Sequence, residues 1–104
     1  MVKEVKTLEE FEALLKGESK LIVVDFTASW CGPCQMIKPH FEKMAEDNTD
    51  VVFIKVDVDE NSDTAEKVGI SCMPTFHFYK GGEKVEEMQG ANIDGLKSHV
   101  EKLK

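Results

Sequence analysis

The sequence contains only three cysteines, no arginine and no long apolar run, and these shortages exclude several classes of protein. Three cysteines are too few, and odd in number, for the disulfide framework of a small secreted domain. No stretch is apolar over the length of a membrane-spanning helix, which argues against a membrane protein. The first residues, MVKEVKTLEEF, lack the apolar core of a secretion signal, so a location in the cytoplasm or a similar reducing space is expected.

Positive charge is also scarce. The chain carries 20 acidic residues against 13 basic ones, all of them lysine, for a net charge of −7, and nothing in the sequence accounts for the lack of arginine. An acidic chain without a basic patch disfavours nucleic acid and anionic membranes as partners. The length of 104 residues and the 41% hydrophobic content indicate one soluble globular domain, residues 1–104.

Four segments have the apolar spacing of helices. Thr7 followed by Glu10 is typical of a capping box, and the helix that it begins is predicted to end at Gly17. A second helix follows the motif CGPC, and a short third one is predicted before Gly69. Asn92 is predicted to cap the last helix.

Four segments have the pattern of strands. Two uninterrupted apolar runs, LIVVDF at 21–26 and VVFIKV at 51–56, predict central strands buried on both faces. The segments 75–80 and 83–88 flank a pair of glycines, which predicts an antiparallel hairpin with a two-residue turn. Because the earlier strands alternate with helices, they are expected to pair in parallel, and the whole pattern predicts a mixed α/β sheet with helices on both faces.

The two cysteines of CGPC lie where a strand is followed by a helix. Residues three apart in a first helical turn lie close enough for a small backbone shift to open or close a disulfide, whereas so short a loop stabilises the fold little. The N-terminus of the helix favours a thiolate at Cys31, and Cys34, one turn further in, is placed to attack the Cys31 sulfur. Pro33 suits the first turn, and Gly32 leaves room for a partner's backbone.

Metal binding is the alternative role for a Cys-x-x-Cys pair, which is usually half of a four-ligand site. No second pair with ligand spacing is present, so a zinc site within one chain is disfavoured, and a cluster shared between two chains stays an alternative. The three histidines are interpreted as surface or strand residues without a catalytic role. The soft ligands outside the pair are Cys72, His40, His77 and His99.

The segments VVDFTASWCGPCQMIKP, VDVDEN, CMPTFHFYKGGEKV and QGAN follow one another in an order that resembles the thioredoxin family over essentially the whole chain. The resemblance implies the thioredoxin fold, a central mixed five-stranded sheet flanked by four helices. It also implies a general protein-disulfide reductase in which Cys31 attacks a substrate disulfide and Cys34 releases the reduced substrate. A thioredoxin reductase that uses NADPH would restore the dithiol, and the domain itself would carry no cofactor. A CGPC centre argues against glutathione as the main electron donor.

Two charged residues are expected to support the cysteines. Asp25 lies in an apolar strand, where desolvation should raise its pKa and make it a proton shuttle for Cys34. The alternative is an aspartate that faces solvent at a strand end. Lys55 is expected to tune that carboxyl group from the next strand, and its alternative role is that of an exposed strand lysine.

A substrate-binding surface is expected around the pair. Pro74 resembles the family's cis proline, which would present the backbone of Met73 to an extended substrate. Trp30 is expected to cover the site, and Gly90 and Ala91 to complete a flat rim. A surface of this kind suits many protein partners. It would equally serve a binding module that docks on a partner without turnover.

Cys72 stands apart from the pair, in the segment before Pro74. It is interpreted as an inert small residue, and its alternative role is that of an exposed thiol open to disulfides or glutathione adducts. The chain is accordingly expected to be a monomer that links through Cys72 to a second copy only on oxidation.

Overall fold

The structure, a computed structural model, describes every residue from Met1 to Lys104. It contains each of the four helices and four strands predicted from the pattern, plus a three-residue strand at the start. The elements are β1 (Val2–Glu4), α1 (Leu8–Gly17), β2 (Ile22–Thr27), α2 (Gly32–Asp47), β3 (Val52–Asp57), α3 (Ser62–Val68), β4 (Thr75–Lys80), β5 (Glu83–Gln89) and α4 (Ile93–Leu103).

The five strands form one mixed sheet in the order β1-β3-β2-β4-β5, which confirms the fold implied by the resemblance. Strands β1, β3 and β2 pair in parallel, whereas β4 runs antiparallel to β2 and β5 antiparallel to β4. The first strand was not predicted from the pattern because its three residues are too few to show an alternation. It is nevertheless in register with β3, with Val2 opposite Phe53 and Glu4 opposite Lys55.

Helices cover both faces of the sheet, and an apolar cluster fills the space under each pair of helices. Strand β2 is buried along five of its six residues because both clusters contain its side chains, as an uninterrupted apolar run predicts. On the face covered by α2 and α4, the large side chains include Leu21, Ile37, Phe41, Met44, Phe53, Phe76, Phe78 and Leu96. On the face covered by α1 and α3, they include Phe11, Phe26, Ile22, Ile54 and Tyr79.

Side-chain caps fix where the helices begin. The side chains of Thr7 and Asn92 accept hydrogen bonds from the backbone N–H groups of Glu10 and Gly95, at 3.1 and 2.9 Å, and so confirm the predicted starts of α1 and α4. The capping box at Thr7 differs in one detail from the usual one, in which the carboxylate accepts from the N–H of the capping residue itself. The carboxylate of Glu10 accepts from the N–H of Lys6 at 3.1 Å, one residue before the capping residue, and so still satisfies a free donor at the helix start.

The turn between β4 and β5 consists of Gly81 and Gly82, with φ angles of +63° and +84°. Both angles lie in the left-handed region that glycine adopts without strain, so the predicted two-residue hairpin is confirmed. None of the helices combines the length and the hydrophobicity needed to cross a membrane.

Candidate active site

The two cysteines lie at the junction predicted for them, between the end of β2 and the first turn of α2. Cys31 is the N-cap residue of α2 and Cys34 is in its first turn. A disulfide joins them, with their Cα atoms 5.2 Å apart. Cys31 is 6% exposed and Cys34 1%, so the first of the two is the more accessible to a partner.

A backbone N–H group that favours negative charge faces the sulfur of Cys31. The N–H of Cys34 donates a hydrogen bond to it, with a nitrogen–sulfur distance of 3.2 Å. This N–H is one of the donors that the start of a helix leaves unpaired, and it lies at the positive end of the helix dipole. A donor in this position would favour a thiolate at Cys31 if the disulfide were reduced.

The loop between α3 and β4 completes the surroundings of this sulfur. The carbonyl oxygen of Met73 is 3.7 Å from the Cys31 sulfur, and the peptide bond between Met73 and Pro74 is cis, as the resemblance predicts. The N–H of Gly90 donates to the carbonyl oxygen of Pro74 at 2.9 Å, with a φ of +92° at Gly90 that favours glycine. The half-buried Ala91 follows directly.

Trp30, the residue before Cys31, is 67% exposed to solvent. Its Nε1 donates to the Oδ2 atom of Asp59 at 2.7 Å, which fixes the ring orientation. Gly32 and Pro33 are exposed beside it. Apart from its chain neighbours and the backbone of its own helix, no atom lies within 4 Å of the point where a Cβ of Gly32 would be, so a side chain there would meet open space.

Asp25 is buried in β2, with 4% of its surface exposed, and its Oδ1 atom has no hydrogen-bond partner among the protein atoms. Burial raises the pKa of this carboxyl group to about 7, and the positive charge of Lys55 on β3 opposes the rise. The alternative of a solvent-facing aspartate is therefore wrong. Lys55, directly opposite Asp25 in the sheet register, is half-buried rather than exposed.

A cavity of about 170 Å³ lies beside these charged residues. One of its lining residues is Ala28, which belongs to the same small apolar cluster as Cys31 and Cys34. The side-chain amide of Gln35 donates to the carbonyl oxygen of Ala28 at 3.2 Å and holds this residue in place. The lining residues are Glu4, Asp25, Thr27, Ala28, Ser29, Gln35, Lys38, Lys55 and Asp57.

The other soft ligands do not join the cysteine pair. Cys72 is exposed, with its sulfur 3.7 Å from the Oγ1 atom of Thr75. His77 is buried in β4 with its ring 5.0 Å from that of Phe26, and burial lowers its pKa. No group of three or more His, Cys, Asp or Glu side chains is arranged to hold a metal ion.

Three residues that help to form this site are not predicted from the sequence: Glu4, Gln35 and Asp59. Glu4 and Gln35 line the cavity beside Asp25, and Asp59 orients the exposed indole. Asp59 belongs to the segment VDVDEN, whose only signal in the sequence is its resemblance to a family pattern. The neighbours of all three residues depend on how the strands pair and how the helices pack. No local pattern in the sequence therefore predicts that these residues belong to the site.

Comparison with known proteins gives one result over the whole chain. The thioredoxin family pattern matches residues 2–102. Thioredoxin of Ophiophagus hannah is 55% identical over 103 residues and that of Gallus gallus 52% over 104, which covers 98% and 99% of each chain respectively. A solved structure of Plasmodium falciparum thioredoxin superimposes with a TM-score of 0.94 at 45% identity, over 98% of this chain and 99% of that one.

A mixed sheet with a redox-active cysteine pair at the start of a helix defines a protein-disulfide oxidoreductase that works by dithiol–disulfide exchange. Together with the comparisons, this site shows that the chain belongs to the thioredoxin family.

Proposed function

We propose that the chain is a general protein-disulfide reductase in which Cys31 is the nucleophile. The observation that carries this proposal is the hydrogen bond, 3.2 Å long, from the N–H of Cys34 to the Cys31 sulfur at the start of a 16-residue helix. A thiolate is the reactive form in disulfide exchange, and a helix N-terminus stabilises it. The cysteine with the larger exposed fraction is also the one so stabilised.

The reaction proceeds in two exchanges. The Cys31 thiolate attacks one sulfur of a substrate disulfide, a mixed disulfide forms, and the other substrate sulfur leaves as a thiolate. Cys34 then loses its proton and attacks the Cys31 sulfur, so that the mixed disulfide breaks and the second substrate sulfur leaves. The substrate gains two electrons, and the cysteine pair loses them and becomes the disulfide present in the structure.

Asp25 accepts the proton that Cys34 gives up in the second exchange. A base works best when its pKa lies near the working pH, and burial raises the pKa of Asp25 to about 7. The cavity beside Asp25 is lined by Ala28, which packs against both cysteines, and water in this cavity is the proposed route of the proton. Lys55 opposes the effect of burial and so adjusts this pKa.

The substrate lies across the exposed rim of the disulfide in an extended conformation and pairs with the backbone of Met73. The open space around Gly32 and the exposed indole of Trp30 support this placement, because both residues adjoin Cys31 and are accessible to a partner. A flat apolar surface of this kind accepts many sequences. The residues proposed to contact the substrate are Trp30, Gly32, Pro33, Met73, Pro74, Gly90 and Ala91.

A thioredoxin reductase that draws electrons from NADPH returns the disulfide to the dithiol, in the cytoplasm, and the chain acts as an electron carrier between that enzyme and its substrates. Family membership supports this partner. The single domain, residues 1–104, needs no cofactor of its own, because both exchanges use only its two sulfurs. Incubation with a purified reductase and NADPH tests the step, and failure of NADPH oxidation in the presence of a disulfide substrate would contradict it.

Reduction of insulin disulfides, followed by turbidity with dithiothreitol as electron donor, tests the proposal as a whole. Cys31→Ser should abolish the reaction, and Cys34→Ser should accumulate a mixed disulfide that mass spectrometry detects. Cys72→Ser is the matched control and should keep full activity. If Cys31→Ser binds substrate but a reducible intermediate never forms in Cys34→Ser, the chain is instead a docking module without turnover.

A further inference from the structure

Three charged side chains form a row across the parallel part of the sheet. Glu4 is directly opposite Lys55, and Lys55 is directly opposite Asp25, on the neighbouring strands β1, β3 and β2. Residues in direct register project from the same face of a sheet, so the row alternates negative, positive, negative. All three side chains line the same cavity of about 170 Å³.

Lys55, the lysine of this row, forms a salt bridge with neither carboxylate. None of the five salt bridges in the chain involves Lys55, and both Lys55 and Glu4 are half-buried, whereas Asp25 is 4% exposed. A lysine ammonium on its flexible four-carbon chain can move toward either neighbour. The more accessible Glu4 therefore competes with the buried Asp25 for one positive charge.

Two further charged groups reach the cavity. Asp57 on β3 uses its Oδ1 atom to accept hydrogen bonds from the N–H groups of Asp59 and Glu60, at 2.9 and 3.1 Å, so it is held in the turn after the strand. Lys38 on α2 is exposed and forms no salt bridge. Neither Asp57 nor Lys38 is in direct register with Asp25. The row of Glu4, Lys55 and Asp25 is therefore the arrangement that couples a second carboxylate to Asp25.

We propose that Glu4 is a positioning residue of the redox site, which draws the Lys55 ammonium away from Asp25 and so favours the protonated form of the Asp25 carboxyl group. Glu4 contacts neither sulfur nor substrate and acts through Lys55. The importance of this effect for turnover rests on the proposed role of Asp25 in proton transfer. The effect on Asp25 itself does not.

An NMR titration of the Asp25 side-chain carboxyl carbon in the disulfide form tests the inference directly. In Glu4→Gln the ammonium turns to Asp25 and favours its carboxylate, so the titration midpoint should fall by about half a pH unit or more. Glu42→Gln on the exposed surface of α2 makes the same change in net charge away from the cavity and should leave the midpoint unchanged. An unchanged midpoint in Glu4→Gln, or an equal fall in both variants, would overturn the inference.

A double-mutant cycle tests whether the effect passes through the lysine. Lys55→Gln alone should raise the Asp25 midpoint, and Glu4→Gln added to it should produce a much smaller fall than in the parent chain. A fall of the same size in both backgrounds would contradict action through Lys55. If the midpoints move as expected but the pH profile of insulin reduction does not follow them, the proposed catalytic role of Asp25 is wrong and the inference about Glu4 holds.

Discussion

Asp25 shows at the scale of one residue how a reactive group affects stability. Its pKa is about 7 in the folded protein, whereas a free aspartate has a pKa of about 3.9. Between these pH values the folded state binds a proton that the unfolded chain releases. Stability therefore falls as the pH rises from about 4 to about 7, by an amount that reaches about 4 kcal/mol above that range.

Asp25→Asn should therefore stabilise the protein at pH 8, because it removes a carboxyl group that must ionise in a buried position. We expect a gain of about 2 to 4 kcal/mol at pH 8 and little gain at pH 4, measured by urea unfolding of the oxidised form. Asp50→Asn, at an exposed position, is the control and should change stability little at either pH. A gain that did not depend on pH would show that Asp25 titrates normally.

The same substitution should slow catalysis. In the proposed mechanism the Asp25 carboxylate receives the Cys34 proton, so its loss should lower insulin reduction at pH 7 by at least about tenfold. The loss should shrink at high pH, where hydroxide deprotonates Cys34 directly. The rate of reduction between pH 6 and pH 9 gives the comparison, and a profile identical to that of the parent chain would contradict proton transfer to Asp25.

At the scale of elements, helix α3 depends on one buried amide. The Oδ1 atom of Asn61 accepts from the N–H and the hydroxyl of Thr64, at 3.3 and 2.9 Å, and its Nδ2 donates to the carbonyl oxygen of Val5 at 3.1 Å. Asn61 is 3% exposed. It therefore both caps α3 and ties it to the segment that follows β1.

Asn61→Ala should cost about 2 to 3 kcal/mol of unfolding free energy, because it removes a cap and leaves the Val5 carbonyl unpaired in the interior. Asn92→Ala is a matched control. It deletes the same side chain from the same position of α4, at an exposed site without a bond to another element, and should cost about 1 kcal/mol. Equal losses in urea unfolding would show that the tie to Val5 contributes nothing.

The helices and strands could be predicted from the sequence wherever an apolar periodicity was long enough or a capping or turn residue was recognisable. The apolar run of β2, the Gly-Gly turn and the cap at Asn92 each follow from local chemistry, and their boundaries differ from the structure by about one residue. Strand β1 has three residues and no period of its own. Only its pairing with β3 defines it as a strand, so the place of Glu4 beside Lys55 could not be deduced locally.

At the scale of the whole molecule, the sequence predicted the position of the cysteine pair and the burial of Asp25, but not the cavity beside Asp25. The cavity has walls from β1, β2, β3 and α2, which are far apart along the chain. Its shape follows from how these elements pack. The same holds for the bond from Trp30 to Asp59, which joins residues 29 positions apart.

The oligomeric state provides a test at this scale. Cys72 is exposed, which favours the alternative of a reactive thiol over that of an inert residue. We expect a monomer under reducing conditions and a disulfide-linked dimer after mild oxidation, seen as a second band in non-reducing electrophoresis. The dimer band should be absent in the Cys72→Ser variant. It should be present in the double variant that combines Cys31→Ser and Cys34→Ser. A parent chain that never forms the band would show that Cys72 is inert.

Strand β5 forms one edge of the sheet, and four of its seven residues are charged. A strand from another molecule could add to this open border only by bringing its own backbone alongside Glu83, Lys84, Glu86 and Glu87 and removing water from them. The opposite border, β1, is three residues long and offers too short a template for such growth. Both margins thus discourage fibril-like stacking, so the protein can expose an apolar rim around its disulfide without inviting aggregation through its backbone.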